Sequence, residues 1–316
     1  MNRNKMIKTL QATSESDLPW IFIPSYKRPH FSDNMSWLHA LSKEALEHVF
    51  IVIREEQYDE YAKYKQNQKF QFIKIPYGTV TGVGSTRQFI MDFAIDHKLS
   101  CIMDMDHDIK YLQYLYGGKT KSGNKCSKHS LVRDWIDHPE IPQLVLQLAG
   151  KIARECFREH KDVLLGSLRK QHFSQSPEYS LIKYQINKGP TPRQTKILNM
   201  KAIYKAGIYM PKAFDLHGDD IGFAAEVLQN GYSCFNIPCL CYDYIDDQVD
   251  SVVRDPHNPE KNRWLHKLEY DGLQQMEIKH YLKESFKFPD GQYKFGDIDW
   301  MKYHKLHHSK PIVERW

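Results

Sequence analysis

The sequence predicts an α/β fold with a mostly parallel sheet covered by helices on both faces. Two observations carry this prediction. Short apolar runs and amphipathic stretches alternate four times through the first half of the chain, which is the order of parallel sheets with crossover helices. The chain has 316 residues, enough for one large domain or two closely packed ones.

The first two predicted strands end in polar loops. Trp20 to Ile23 is apolar and is stopped by Pro24, and Val49 to Ile53 is followed directly by charged residues. Ligands of α/β sheets bind at the carboxyl edge, where hydroxyls can hold a base or ribose and an arginine can pair with phosphate. The alternative is an ordinary turn with solvated charges. The candidate contacts in these loops are Pro24, Ser25, Tyr26, Arg28, Arg54 and Glu55.

The segments between these strands fit helices. Apolar residues at helical spacing predict a helix from Phe31 to His48, and a short tyrosine-bearing helix follows over 57–65. Phe70 to Pro76 is the third strand. A glycine-bearing loop then leads to a helix that Ser85 or Thr86 can cap and that runs to His97.

Arg87 falls in the first turn of that helix. A positive charge is unfavourable there, because the helix dipole favours anions at its N-terminus. An anion held jointly by the helix N-terminus and Arg87 would remove the conflict. The alternative is a solvent-facing arginine on an amphipathic helix. The glycines match neither a Walker loop nor a dinucleotide-binding fingerprint.

Three acids at alternate positions end the fourth predicted strand. Asp104, Asp106 and Asp108 close the stretch SCIMDMDHDIKYL, and residues two apart share one face of a strand. Carboxylates this close repel one another unless a cation lies between them. Oxygen ligands suit Mn²⁺ or Mg²⁺, which complete their shells with substrate phosphates. The alternative is a solvated acidic turn.

A second acidic pair lies in the other half of the chain. Asp219 and Asp220 precede or begin a helix predicted over Ile221 to Gln229. One acid there can be an N-cap and the other a dipole-favoured residue, but a cap needs only one acid. The pair is therefore a candidate for catalysis. The remaining predicted elements are a surface loop over 116–139, a helix over 141–160, a strand over 163–168, a strand or loop with a short helix over 183–208, and a final core strand over 233–244.

Composition fits a soluble protein of a reducing compartment. Hydrophobic residues make up 41% and charged residues 26% of the chain, and the net charge is +5, which permits an acidic partner without requiring one. Most of the six cysteines lie in apolar runs, as reduced buried thiols do. The first residues lack the apolar core of a secretory signal and no stretch has the length of a membrane span. We expect a cytoplasmic protein with no membrane partner.

Four segments together resemble a GT-A glycosyltransferase. They are IPSYKRP on the first strand, IVIREEQYDEY on the second, GVGSTRQFIMDFA before the acidic strand, and MDMDHDI. Within that superfamily the chain is most similar to the TET-associated glycosyltransferases of phages. The match spans Trp20 to Leu112, with a weaker similarity at HGDDIGFAAEVLQNGY. Here His107 interrupts the acidic signature, so Asp106 and Asp108 match its Asp-x-Asp pair and Asp104 is a supporting acid.

The resemblance implies a metal-dependent transferase with a nucleoside-diphosphate sugar donor, expected to be a UDP-sugar. It implies Asp106 and Asp108 as ligands of Mn²⁺ or Mg²⁺. The strand-end residues named above, together with Arg87, Asp104 and Asp106, would bind the donor. Asp219 or Asp220 would be the base that deprotonates an acceptor hydroxyl. Residues 1–18 are expected to be a polar, flexible lead-in, followed by a donor-binding half (19–115), an acceptor-side half (116–245) and a C-terminal extension (246–316).

The implied acceptor is hydroxymethylcytosine or a related hydroxymethylpyrimidine in phage DNA, which would place the protein in the host cytoplasm. Phosphate contacts are then expected from the basic segments Lys119–Lys128 and Lys302–Lys310. One of His304, His307 and His308 could complete the metal shell. Two alternatives stay open: the same donor chemistry on a protein, glycan or small molecule, and a non-catalytic DNA-binding accessory protein.

Overall fold

The structure is a computed structural model that describes residues 1–119, 125–129, 138–170, 176–244, 258–287 and 293–316. Its strands are β1 (Trp20–Pro24), β2 (Val49–Arg54), β3 (Gln71–Ile75), β4 (Cys101–Met105), β5 (Ile109–Lys119), β6 (Lys125–His129), β7 (Val163–Lys170), β8 (Ile182–Ile186), β9 (Thr195–Asn199), β10 (Ser233–Tyr244), β11 (Leu282–Lys287), β12 (Tyr293–Ile298) and β13 (Ile312–Arg315).

Helices connect these strands. They are α1 (Arg3–Gln11), α2 (Phe31–Asn34), α3 (Ser36–His39), α4 (Lys43–Leu46), α5 (Tyr58–Lys63), α6 (Val83–Asp96), α7 (Ile141–Glu159), α8 (Met200–Ala206), α9 (Asp219–Gln229), α10 (Pro259–Gln274) and α11 (Trp300–Leu306).

One large mixed sheet organises the chain. Its main order is β13-β8-β10-β7-β9-β4-β1-β2-β3, and β5 and β6 extend it from β10. The strands β1 to β4 are mutually parallel, as predicted. The strands β7 and β10 run in the same direction, whereas β9 runs the opposite way between β4 and β7. The carboxyl ends of β1, β2, β3, β4, β7 and β10 therefore meet at one edge.

Side chains that alternate along the strands enter two hydrophobic cores, one on each face of the sheet. On β1, Ile21 and Ile23 face one core and Phe22 faces the other. The first core includes residues of α1 and α7, and the second includes residues of α6, α8 and α9. This double coverage confirms the predicted α/β class with helices on both faces.

Two expectations about the N-terminal region were wrong. Residues 1–18 are not a flexible lead-in, because α1 buries Met6 and Leu10 completely against the first core. The helix expected over Phe31 to His48 is broken into three short helices, α2 to α4. Met35 leaves helical geometry with φ −97° and ψ 71°, and the Ser42 side chain caps a new start by accepting from Ala45 N.

The second half contains more strands than expected. Residues 116–119 continue β5 and do not belong to a loop, because β5 pairs with β10 and with β6. The strand β10 is not the last one, since β11, β12 and β13 follow it. The predictions for α7 and β7 are confirmed. The five described cysteines are buried free thiols, as expected.

No helix in the described ranges combines the length and apolar character needed to cross a bilayer.

Trp37 ties the helical segment after β1 to the turn that follows the acids of β4. Its buried indole Nε1 donates to the carbonyl oxygen of Ile109 at 3.0 Å. We expect Trp37→Phe to lower the free energy of unfolding by about 1–3 kcal/mol, because that buried carbonyl loses its donor, with a further loss from the void. Urea denaturation followed by circular dichroism measures the change.

Trp264→Phe is the matched control, since Trp264 is half exposed and its substitution should change stability by less than about 0.5 kcal/mol. Equal effects of the two substitutions would contradict the role assigned to the Trp37 contact.

Candidate active site

Arg87 lies at the centre of the candidate site. Its guanidinium is buried and donates through Nη1 to Asp104, through Nη2 to Asp106 and through Nε to Asp219. The three carboxylates come from the end of β4 and the first residue of α9. The pKa of Arg87 is raised well above its usual value, because these charges outweigh the burial that would lower it. One side chain thus joins the two acidic clusters of the sequence.

This position corrects the expectations for Arg87 and Asp104. Arg87 is not a solvent-facing residue, and the anions it holds are carboxylates of the protein itself. Asp104 is 1% exposed and its Oδ1 accepts from Arg87, so it supports the site from below and does not face a donor. Each of the three guanidinium nitrogens of Arg87 donates to a carboxylate of the protein, an arrangement that favours a role in positioning these acids.

The N-terminus of α6 also holds an internal anion. The Asp215 carboxylate accepts from Ser85 N at 2.6 Å and from the Thr81 hydroxyl. The helix begins at Val83 after an N-cap at Gly82, so Ser85 lies inside the first turn and not at the cap as expected. A Cβ atom at Gly82 would lie 2.2 Å from the Asp215 carbonyl oxygen, which explains the need for glycine there.

Lys196 is a second buried cation, which the sequence analysis missed. It lies on β9 opposite Asp104 of β4, and its side chain is 1% exposed. Its Nζ is 3.4 Å from Asp219 Oδ2 and pairs with Asp220 Oδ1. The signal in the sequence is a lone lysine at the start of the apolar run TKILNM, since a lysine is almost never fully buried without a partner.

The two adjacent acids of α9 differ in their electrostatic surroundings. Burial favours the neutral form of both. For Asp219, Arg87 and Lys196 overcome burial and hold the pKa at about 2. For Asp220, burial together with the neighbouring charges of Asp219 and Asp106 raises the pKa to about 6, against the opposing effect of Lys196. Asp219 is not an N-cap, because α9 begins at Asp219 after Gly218.

One carboxylate oxygen of Asp108, Oδ1, is buried without a hydrogen-bond partner among the described residues. Burial, followed by the charge of Asp106, raises the pKa of Asp108 to about 7. Oxygen ligands in such a state suit a hard divalent cation, which would supply the missing positive charge. The chemistry of these residues fits Mn²⁺ or Mg²⁺, which Asp106 and Asp108 would hold.

Arg28 reaches this turn from the loop after β1. Its Nη1 contacts Nε2 of His107, whose Nδ1 lies 3.3 Å from the carbonyl oxygen of Pro24. Burial, and next the charge of Arg28, lower the pKa of His107 to about 3, so its imidazole is neutral. The structure therefore brings Arg28 beside the acids that the sequence placed at the same edge.

The other strand-end residues divide into buried supports and accessible surfaces. The Ser25 hydroxyl is buried and lies 2.7 Å from the Tyr61 hydroxyl, so it braces the loop and is not presented to a ligand. The Tyr26 ring stacks with Arg54, whose guanidinium carbon is 4.3 Å from the ring centroid. Glu55 is exposed at the same edge.

The C-terminal histidines lie away from the acids. His304 Nε2 is 2.8 Å from the carbonyl oxygen of Asn187, and Asn187 N donates to Cys234 O near the start of β10, at the amino edge. His307 stacks on Tyr303. These contacts contradict a role for His304, His307 or His308 in a metal shell at the carboxyl edge.

Two basic segments, Lys119–Lys128 and Lys302–Lys310, were expected to contact DNA phosphates. The exposed segment Lys302–Lys310 surrounds His304 and shares its position at the amino edge, on the side of the sheet away from the acids. Residues 120–124 lie outside the described part of the chain, as do the side chains across Lys119–Lys128.

No protein-family model matches the sequence, and no curated protein matches it. Several solved structures are similar to the chain at low sequence identity. A structure of S. aureus TarS 1–349 in complex with UDP-GlcNAc is 14% identical with a TM-score of 0.43, over 82% of this chain and 67% of that one. The chain spans 66% of TarS 1–349 in a second structure and 40% of a longer TarS chain.

Two further solved structures are similar to the chain. The mannosyltransferase PcManGT from Pyrobaculum calidifontis, in complex with GDP-Man and Mn²⁺, is 11% identical with a TM-score of 0.44, over 88% of this chain and 68% of that one. GalNAc-T7 with UDP, GalNAc and Mn²⁺ is 10% identical with a TM-score of 0.41, over 74% and 46% of the two chains.

Arg87→Lys tests the central contact of the site. A lysine keeps the charge but offers one nitrogen instead of a planar fork that serves three carboxylates. We expect a loss of about 1.5–3 kcal/mol of unfolding free energy for each charged hydrogen bond that is broken. The control is Arg154→Lys, because Arg154 pairs with the single carboxylate of Asp17 near the surface and should lose less than about 1 kcal/mol.

Chemical denaturation of the two variants in parallel gives the comparison. Losses of the same size at Arg87 and Arg154 would show that the three-carboxylate contact does not hold the site together.

Proposed function

We propose that the chain is a metal-dependent glycosyltransferase of the GT-A type, which transfers a sugar from a nucleoside-diphosphate sugar to a hydroxyl acceptor. The observation that carries the proposal is the buried Oδ1 atom of Asp108, which has no hydrogen-bond partner among the described residues and belongs to the turn that also carries Asp106, at the carboxyl edge of β4. This edge also presents a cation in Arg28 and, in Asp220, an acid whose pKa is raised to about 6 by burial and by the neighbouring carboxylates. A diphosphate site and a proton acceptor are thus supported at one place.

Asp106 and Asp108 would hold the Mn²⁺ or Mg²⁺ ion, which neutralises charge on the diphosphate leaving group when bound. Arg28 would also neutralise charge on the diphosphate. Its guanidinium contacts His107, the residue that stands between Asp106 and Asp108 in the sequence. His107 is neutral and adds no competing charge. Arg87 keeps Asp106 in position through Nη2 and takes no direct part in donor binding.

The Tyr26 ring and Arg54 offer a surface for the donor base or ribose. The two side chains stack on each other, and Arg54 Nη2 also donates to the Thr81 carbonyl oxygen at 3.2 Å. An arginine–aromatic stack of this kind is held in place before a ligand arrives. Pro24 and Ser25 support the conformation of this loop. Glu55 is exposed and would interact with the sugar nucleotide.

Asp220 is the better candidate for the base of the two acids of α9. Asp219 is held ionised between Arg87 and Lys196, which suits a structural role. Asp220 has a pKa of about 6, so it is ionised at neutral pH yet able to accept a proton. The acceptor hydroxyl would pass its proton to Asp220 while its oxygen bonds to the anomeric carbon and the bond from that carbon to the diphosphate breaks.

The acceptor proposal rests on the sequence resemblance. It points to a hydroxymethylated pyrimidine in DNA, whose hydroxyl would be the attacking group, and UDP is the proposed nucleotide of the donor. A base within a duplex would have to be turned out of the stack to reach a site at the sheet edge. A protein, glycan or small molecule would use the same donor side and the same base.

The test is to offer the purified protein hydroxymethylated and unmodified DNA with a panel of nucleotide sugars and Mn²⁺. Mass spectrometry of the digested nucleosides then reports any added sugar. We expect transfer to hydroxymethylated DNA only, and only with Mn²⁺ or Mg²⁺. Donor hydrolysis without transfer would keep the donor side of the proposal and reject the DNA acceptor. Salt-dependent DNA binding with no donor turnover would favour an accessory DNA-binding protein.

Single substitutions distinguish the proposed roles. We expect Asp108→Asn and Asp220→Asn each to reduce transfer by about 100-fold or more, through loss of the metal ligand and of the base respectively. Asp108→Asn should also weaken Mn²⁺ binding, whereas Asp220→Asn should leave it unchanged.

Asp92→Asn is the matched control, because Asp92 is an exposed carboxylate on α6 that bonds only locally, to Gln88. It should retain full activity. Thermal denaturation verifies that each variant is folded, and a folded Asp108→Asn protein with undiminished transfer would refute the metal assignment.

A further inference from the structure

A cluster of two histidines and a glutamate lies next to the acids of α9. His217 is in the segment that leads into α9, two residues before Asp219. His266 and Glu269 lie three residues apart on α10, so they share one face of that helix. The three residues thus come from two separate parts of the chain and meet beside the candidate active site.

The geometry of the cluster is that of a metal-binding group. The ligand atoms of His217, His266 and Glu269 all lie within 4.8 Å of one another. His217 Nε2 is 3.2 Å from Glu269 Oε2, and the two imidazole centroids are 5.3 Å apart with an angle of 66° between the rings. Across the described ranges, no other three His, Cys, Asp or Glu side chains gather this closely.

The burial of His217 and Glu269 favours a bound metal ion at the cluster over an ion pair between these two residues alone. The His217 and Glu269 side chains are 15% and 9% exposed. His217 Nε2 is buried and makes no hydrogen bond of good geometry within the described residues, even though the glutamate oxygen is near. The unsatisfied nitrogen of His217 therefore lies close to a carboxylate oxygen and to a second imidazole, and the three residues together offer three ligand atoms to one ion.

We propose that His217, His266 and Glu269 bind a transition-metal ion such as Zn²⁺, separate from the Mn²⁺ or Mg²⁺ of the donor site. Two imidazoles and one carboxylate form a common ligand set for Zn²⁺, with water at the fourth position. Bond lengths to Zn²⁺ are about 2.0–2.2 Å, so the more distant ligand atoms of the cluster would move closer together when the ion binds. Imidazole ligands select against Mg²⁺, which prefers oxygen, so the two sites differ in the ions they take.

The position of the cluster indicates what the ion would do. The side chain of Glu269 packs against Gly218, since a Cβ atom there would lie 2.7 Å from Glu269 Cγ. Gly218 has a φ of +78° and is the N-cap of α9. An ion at the cluster would therefore fasten α10 to the first turn of α9, which carries Asp219 and Asp220. It acts as a structural clamp that positions the base.

The test uses the full-length protein, stripped of metal with a chelator, and Co²⁺ as a spectroscopic probe that Zn²⁺ then displaces. We expect one equivalent of Co²⁺ to give the visible absorption of a nitrogen- and oxygen-ligated ion. His266→Gln and Glu269→Gln should each weaken Zn²⁺ binding at least about tenfold, because loss of even an outer-shell partner costs that much. Zn²⁺ should raise the melting temperature of the parent protein and not that of His266→Gln.

Two controls keep the result specific. His280→Gln removes an exposed histidine outside the cluster and should bind Zn²⁺ like the parent protein. Asp108→Asn should also bind Zn²⁺ normally, so this inference can fail or hold independently of the glycosyltransferase proposal. Equal Zn²⁺ affinity in the parent protein and in both cluster variants would overturn the inference and leave His217 and Glu269 as an ion pair.

Discussion

The candidate site depends on one buried guanidinium. Arg87 is the fifth residue of α6 and binds carboxylates at the end of β4 and at the start of α9. Without it, the acids of β4 and α9 would repel each other across a dry interface. With it, two clusters that are more than a hundred residues apart in the sequence share a single edge of the sheet. An arginine can make this contact because its planar guanidinium donates hydrogen bonds from three nitrogens, Nε, Nη1 and Nη2, in different directions.

The charge balance at this edge is incomplete. Five carboxylates meet there, and two buried cations, Arg87 and Lys196, contact four of them. Asp108 has no ion pair among the described residues, and burial with nearby negative charge raises its pKa to about 7. This surplus is the physical reason to expect a divalent cation. It also underlies the proposed division of roles, in which Asp104 and Asp219 hold the site together and Asp106, Asp108 and Asp220 take part in the chemistry.

Local patterns were enough to predict the strands and the edge. The apolar runs gave β1 to β4 in order, and their carboxyl ends brought Arg28, Arg54 and the acids together. The partners of Arg87 could not be predicted, because they follow from the packing of α6 and α9 against β4. The sequence predicted Arg87 in a first helical turn and an anion beside it; the helix begins earlier, at Val83, and the anions beside Arg87 are carboxylates of the protein. The backbone N–H of Ser85 near the N-terminus of α6 likewise donates to Asp215, a residue far away in the sequence.

Other misses have the same origin. Lys196 is buried because β9 lies antiparallel between β4 and β7. The residues of β9 alone do not predict this pairing. The helix α1 is polar on most of its surface, and only Met6 and Leu10 reveal that it packs. His217, His266 and Glu269 meet through the docking of α10 beside α9. In each case the decisive contact joins segments that are distant in the sequence.

The most direct measurement of the central claim is a calorimetric titration of UDP into the protein with and without Mn²⁺. If Asp106 and Asp108 hold the ion that neutralises the diphosphate, UDP should bind in the presence of Mn²⁺, and binding should be lost when the metal is removed or when Asp108 is replaced by Asn. UDP binding of equal affinity without metal, or in a folded Asp108→Asn protein, would contradict the assignment of these acids to a metal–diphosphate site.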